Sequence, residues 1–466
     1  MLFNSAEFIF CFLPLTLAVY FILNRAKQLK AAKIWLFLAS LFFYSWWNPV
    51  YLPIILLSMV FNFFVGKQLS KKGTGRNRKG ILIAGIVANV LLLVFFKYTD
   101  FLIQNFNALT SSSLSLLHIV LPLGISFFTF QQIAYLVDSY HGHTADYRFL
   151  NYGLFVSFFP QLIAGPIVHH SEMMPQFYSE ENMHFRYDNL SKGIFMFFMG
   201  LCKKVILADS FALFANYGYS SPEQLSFLDS WITSISYACQ LYYDFSGYTD
   251  MAIGAALMFN IQIPQNFNSP YHAKDIQDFW RRWHITLSRF LRDYIYIPLG
   301  GSRSGEYKTL RNLMITFLIG GLWHGAGWTF IFWGFLHGFA LIVHRLWTKY
   351  SPYRMGNFLG VFITFNFVNI AWVFFRAEEW SDAINILQAM FGFGEGEPFS
   401  ISIITDVYVI PIALIGIVLL FMKNTHQRLK EFAFDTKHLA LTVSLIILGL
   451  LFVNSITAND FLYFDF

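Results

Sequence analysis

Two histidines, His284 and His324, each stand next to a tryptophan in otherwise apolar surroundings. One lies in DFWRRWHITLSRFLRDYIYIPLGG, Asp278 to Gly301, and the other in GLWHGAGW, Gly321 to Trp328. Charging an imidazole away from water is costly, so a histidine in such a setting stays neutral. Neutral imidazole can take a proton from a hydroxyl, and the chemistry on offer is general-base catalysis of transfer to an alcohol. The competing structural reading is a hydrogen bond between packed helices. His141, His143, His169, His170 and His184 sit in polar loops and take the structural reading, not the catalytic one. Cys11, Cys202 and Cys239 show neither metal-ligand spacing nor a disulfide pattern, so no metal site is expected.

The elements that carry these histidines belong to a membrane. The chain is 56% hydrophobic, 20% aromatic and 13% charged, whereas soluble domains carry about 25% charged residues. Apolar runs near the ~20 residues that cross a bilayer recur from end to end, which leaves no room for a separate soluble domain. We therefore expect one all-α transmembrane domain over residues 1–466, with roughly ten to twelve membrane helices plus re-entrant and interfacial pieces. Lysine and arginine gather in short loops, as the positive-inside rule requires, and nucleic acid binding is excluded as a reading. The first run, Phe8 to Leu23, is followed by Arg25, Lys27, Lys30 and Lys33, which marks an uncleaved anchor with its N-terminus outside. Residues 34–65, broken at Asn48-Pro49, read as a hairpin leading to a basic loop at 67–79. The run at 149–168 is interrupted at Pro160 and Gly165-Pro166 and reads as re-entrant. Separate runs follow at 225–242 and 244–263, and an acidic outside stretch lies between Glu378 and Glu397.

Residues 274–311 form a basic, aromatic stretch expected on the cytoplasmic surface. Wound as one helix over 279–294, with Arg281 at zero, Arg292, Arg289 and Arg282 fall at roughly 20°, 80° and 100°. The four arginines then share one face, the aromatic residues take the other, and His284 sits at their boundary. Such a helix anchors to lipid headgroups or docks an anionic acyl donor. The hairpin at 312–347 carries His324 at its apex. The apolar run before it, about thirteen residues long, reaches only about 20 Å, which places the ring within the bilayer. Gly320, Gly321, Gly325 and Gly327 allow close backbone approach and a helix break. In YYDFSGYTDMAIG, Tyr242 to Gly254, Asp244 and Asp250 read as buried carboxylates that pair with the arginines or orient a histidine. PQNFNSPY, Pro264 to Tyr271, is a polar hinge.

Together with IAWVFFRA, Ile370 to Ala377, and the ending FLYFDF, these segments resemble the membrane-bound O-acyltransferase family, in the bacterial branch of the alginate O-acetylation proteins. The resemblance runs along nearly the whole chain. It implies that His324 matches the family's catalytic histidine and His284 its second polar position. The substrate-binding residues expected around them are Arg281, Arg282, Arg289, Arg292, Trp283, Trp323, Asp244 and Asn266. It also implies a multi-pass protein of the bacterial inner membrane with no permanently bound cofactor, a donor such as acetyl-CoA or another acyl thioester, and a polysaccharide acceptor reached through an exported acetyltransferase partner of SGNH type. Membrane lipids complete the partners. A transporter or channel for an acyl carrier or lipid, without transferase chemistry, is the alternative, because it too has broken helices and polar groups at depth.

Overall fold

The computed structural model describes residues 1–71, 77–144, 148–303, 305–394, 396, 409–453 and 461–462. Parts of the 67–79 loop, of the 378–397 stretch and of the run beginning at residue 400 lie outside the described residues, as do the last four residues of FLYFDF. The described residues are helical, with no strand among them. Among the described residues, five helices are long and apolar enough to cross a membrane by length and composition, and the shorter apolar helices Val409–Leu420 and Thr436–Phe452 accompany them.

The chain divides into two compact units, one of residues 1–197 and 249–264, the other of 198–248 and 265–466. In the first, α1 (Leu13–Arg25) continues a π-helical turn at Glu7–Phe12. The predicted hairpin follows as α2 (Leu29–Ser45) and α3 (Leu52–Ser70). Its corner is the Asn48-Pro49 pair, where the Asn48 side chain accepts a hydrogen bond from Val50 N at 3.0 Å. Next come α4 (Asn77–Lys97) and α5 (Ile125–His141), which ends at left-handed Gly142. The run at 149–168 is broken as expected: α6 (Phe149–Ser157) stops before Phe159, and only a single turn follows, at Phe159–Leu162.

In the second unit, α7 (Asp209–Ser220) follows a π-helical turn, Lys203–Ala208. One expectation fails here. The runs at 225–242 and 244–263 form a single 32-residue helix, α8 (Phe227–Met258), within which the division between units falls. Asp244 does not interrupt it because its charge is neutralised inside the protein, as described below. The helices that carry the site are α9 (Ile276–Arg282), α10 (Ile285–Leu291), α11 (Glu306–His324), α12 (Trp328–Tyr350) and α13 (Asn357–Arg376).

The hairpin that carries His324 is α11 and α12. It starts at Glu306, so a polar turn precedes the apolar run used to judge depth, and the whole helix extends about 28 Å. Glycine sets how closely the two helices approach. A Cβ on Gly321 would lie 2.3 Å from the Phe330 carbonyl oxygen, and one on Gly334 would lie 2.4 Å from that of Phe317. This is the small-residue crossing by which membrane helices gain contact without a hydrophobic driving force. The turn before α11 is fixed by Asn312, whose amide donates to the carbonyls of Leu299 and Gly301 at 3.1 Å each. Gly300 and Gly301 adopt φ of 107° and 55° there, values that a side chain resists.

Candidate active site

The continuous surface helix expected over 279–294 is not present. The chain leaves α9 at Trp283, His284 adopts a left-handed conformation at φ 41° and ψ 54°, and α10 begins at Ile285. Asn266 imposes the break from eighteen residues upstream. Its carbonyl oxygen accepts from Ile285 N at 2.9 Å. Its side-chain oxygen accepts from Thr286 N at 3.2 Å and Thr286 Oγ1 at 2.7 Å, and meets His284 Nδ1 at 3.2 Å. Two orphan N–H groups at the start of α10 are thus capped by a remote residue, which offsets the ~1 kcal/mol or more that a left-handed non-glycine residue costs. His284 itself is fully buried, and burial alone pushes its imidazole down to about 3, so the ring is neutral at physiological pH.

The break also redistributes the arginines. Arg281, Arg289 and Arg292 line a cavity of about 790 Å³ with Arg345 and Lys349 of α12. Its lining holds these five basic side chains and no acidic one. Arg282 turns away, bound to Asp278 at 2.9 Å and to the Asn268 carbonyl at 3.3 Å. Arg292 also contacts Asp293 at 2.7 Å. The same lining includes apolar Leu313, Phe317, Leu341 and the indole of Trp280.

His324, at the last residue of α11, is 3% exposed. Its ring packs against Trp323, Trp333 and Phe375, with centroids 4.9, 5.0 and 5.1 Å away. Trp323 also faces His284 at 6.1 Å, so this indole touches both histidines. His324 does not line the cavity. Two rings intervene: Trp280 in the cavity wall packs on Trp333 at 5.8 Å, and Trp333 packs on His324.

The remaining expected residues have other surroundings. Trp283 is buried against Phe267, Phe279 and Trp372 and lines no part of the cavity. Asp244 pairs with a lysine, not with an arginine or a histidine: Lys204 Nζ lies 2.8 Å from Asp244 and 2.9 Å from Asp209, all three nearly sealed from solvent. The second oxygen of Asp244 accepts from Leu462 N at 3.0 Å, and the adjoining Phe461 stacks on Tyr248. Lys204 and Asp209 went unread in the sequence. The signal was there, since CKKVILAD puts charges five residues apart in an apolar run, the spacing that brings side chains together on a π-helical turn. His337 was also missed. Its ring is fully buried and its Nδ1 accepts a hydrogen bond from Trp280 Nε1 at 3.2 Å. An ionisable residue inside a 23-residue apolar helix is a signal in its own right.

Residues 139–377 match the model of the membrane-bound O-acyltransferase family. A peptidoglycan O-acetyltransferase of Helicobacter pylori is 47% identical over 100% of this chain and 98% of its own length. A probable alginate O-acetylase of Pseudomonas aeruginosa is 40% identical over 84% of this chain and 75% of its own. A teichoic acid D-alanyltransferase of Bacillus subtilis is 27% identical over 55% of this chain and 69% of its own.

Proposed function

The chain belongs to the membrane-bound O-acyltransferase family and is an acyltransferase, and from that premise we propose that it moves an acetyl group from a thioester donor to a hydroxyl, for the O-acetylation of a glycan outside the cell. The observation that carries this reading is one cavity lined by five basic side chains, no acidic one, and an apolar group of Leu313, Phe317, Leu341 and Trp280. The phosphates of acetyl-CoA suit Arg281, Arg289 and Arg345, with Arg292 and Lys349 beside their partners Asp293 and Glu306, and the acyl thioester suits the apolar part of the lining. No resident cofactor is needed.

His324 Nε2 or Nδ1 takes the proton of the acceptor hydroxyl as its oxygen attacks the thioester carbonyl. The C–O bond forms, the C–S bond breaks, and the imidazolium returns the proton to the departing thiolate. His324 is walled off by Trp280 and Trp333, so the donor reaches it only when that wall yields; closed again, the wall excludes water from the thioester. His284, held by Asn266 against the same Trp323, is the second candidate catalytic histidine. Transfer is direct, with no acylated enzyme required.

The full-length match favours peptidoglycan as the polymer, with alginate-like glycans second. Basic loops on the donor side and the branch resemblance support a place in the bacterial inner membrane and an exported SGNH-type acetyltransferase that completes delivery. The test is His324→Ala. We expect an inserted, monodisperse protein that transfers no acetyl group; full activity would remove His324 from the chemistry.

A further inference from the structure

We propose that Trp280 is a specificity-determining residue that limits the acyl group to a short one, and that His337 is the positioning residue that locks it in place. The inference rests on the donor occupying the basic cavity, as proposed above. Trp280 is the residue through which that cavity approaches His324: it lines the cavity on one side and packs on Trp333 on the other. Phe317 braces the same indole at 4.9 Å. The acyl group must pass this wall as it yields, so how far the hydrogen-bonded indole moves aside sets how much chain fits.

The indole has one hydrogen-bonding group, and it can only donate. His337 Nδ1, 3.2 Å away, is therefore the acceptor, and the neutral ring carries its proton on Nε2. His337 is fixed in turn by Trp333 at 4.7 Å and by Phe279 at 6.1 Å, all within buried packing. A buried N–H that loses its acceptor is penalised, so Trp280 has one favoured orientation while His337 supplies that acceptor. Without the hydrogen bond the indole is held by ring packing alone, which fixes its orientation less tightly.

The experiment measures kcat/KM for acetyl-CoA and butanoyl-CoA in detergent or nanodiscs. One misfit methylene is worth about 10- to 200-fold, so the wild type should favour acetyl over butanoyl by about 100-fold or more. Trp280→Ala should reduce that ratio to about tenfold or less. His337→Phe keeps the volume and removes the acceptor; it should move the ratio the same way by a smaller factor. His337→Asn, whose amide oxygen can take the indole proton, should restore it. A merely structural role would lower both rates together and leave the ratio alone. Acetyl transfer by Trp280→Ala and His337→Phe at the wild-type ratio overturns the inference and leaves the proposed function standing. Should Trp280→Ala not be monodisperse, Trp280→Leu makes the same test. A wild type that transfers from neither thioester overturns the functional reading, and this inference falls with it.

Discussion

The two units bury polarity in different proportions. In the first, Asn62 of α3 and Asn89 of α4 exchange hydrogen bonds at 3.0 and 2.7 Å, and each also donates to a carbonyl of its own helix, at 2.9 and 2.8 Å. Gln132 of α5 donates to Ser58 at 3.0 Å and accepts from Tyr152 of α6 at 3.2 Å. Every group in that network is neutral, and together they tie four helices. Beside that network the first unit buries His170 and Asp250, whereas the second buries a larger ionisable set that includes Lys204, Asp209, Asp244, His284, His324 and His337. Neutral amides serve as glue at membrane depth, whereas ionisable groups there cost more and are kept where charge or proton transfer is used.

That contrast can be broken in several places. The largest expected effect is on His324→Ala, which should lower acetyl transfer by about 10²- to 10⁴-fold in protein that is still inserted and monodisperse, beyond the modest stability loss expected of a buried cavity; near-wild-type transfer would make the ring a packing residue. Next is Lys204→Met, which leaves two carboxylates facing each other in the interior and should cost about 3–5 kcal/mol of stability by thermal unfolding. Combining it with Asp209→Asn and Asp244→Asn should recover most of that loss, and no recovery would mean that lysine packing, not charge, is what matters. Asn266→Ala should reduce kcat about 10- to 100-fold through misplacement of His284, with a smaller change in KM for the donor. An effect confined to KM would instead make Asn266 a binding group. The smallest effect should come from Asn62→Leu with Asn89→Leu: about 0.6–1.7 kcal/mol of stability and an unchanged kcat per folded molecule.

The all-helical membrane fold was legible because long apolar runs and their basic flanks leave few alternatives. The hairpin corner at Asn48-Pro49 and the break near Pro160 were readable for the same reason: proline acts locally. The break at His284 was not. No glycine or proline marks it, the periodicity of 279–294 favours a continuous helix, and the residue that opposes it, Asn266, is distant in sequence. The single helix through Asp244 was hidden likewise, since a carboxylate in an apolar run looks like an end until Lys204 is seen beside it. Arg281, Arg289 and Arg292, grouped by the spacing of a helix that is not continuous, do line one cavity, whereas Arg282 was grouped with them only because the break was unseen.

The central claim is acyl transfer between a thioester and a hydroxyl inside the second unit. Its most direct test is side-resolved: protein in sealed vesicles, acetyl-CoA labelled in the acetyl group on the basic-loop side, and a hydroxyl acceptor on the other. The account predicts labelled ester in the acceptor compartment, free CoA thiol retained with the donor, and loss of both products when Arg281 and Arg289 are replaced by alanine. Intact labelled acetyl-CoA crossing the membrane with no ester formed would contradict it and leave a transporter in its place.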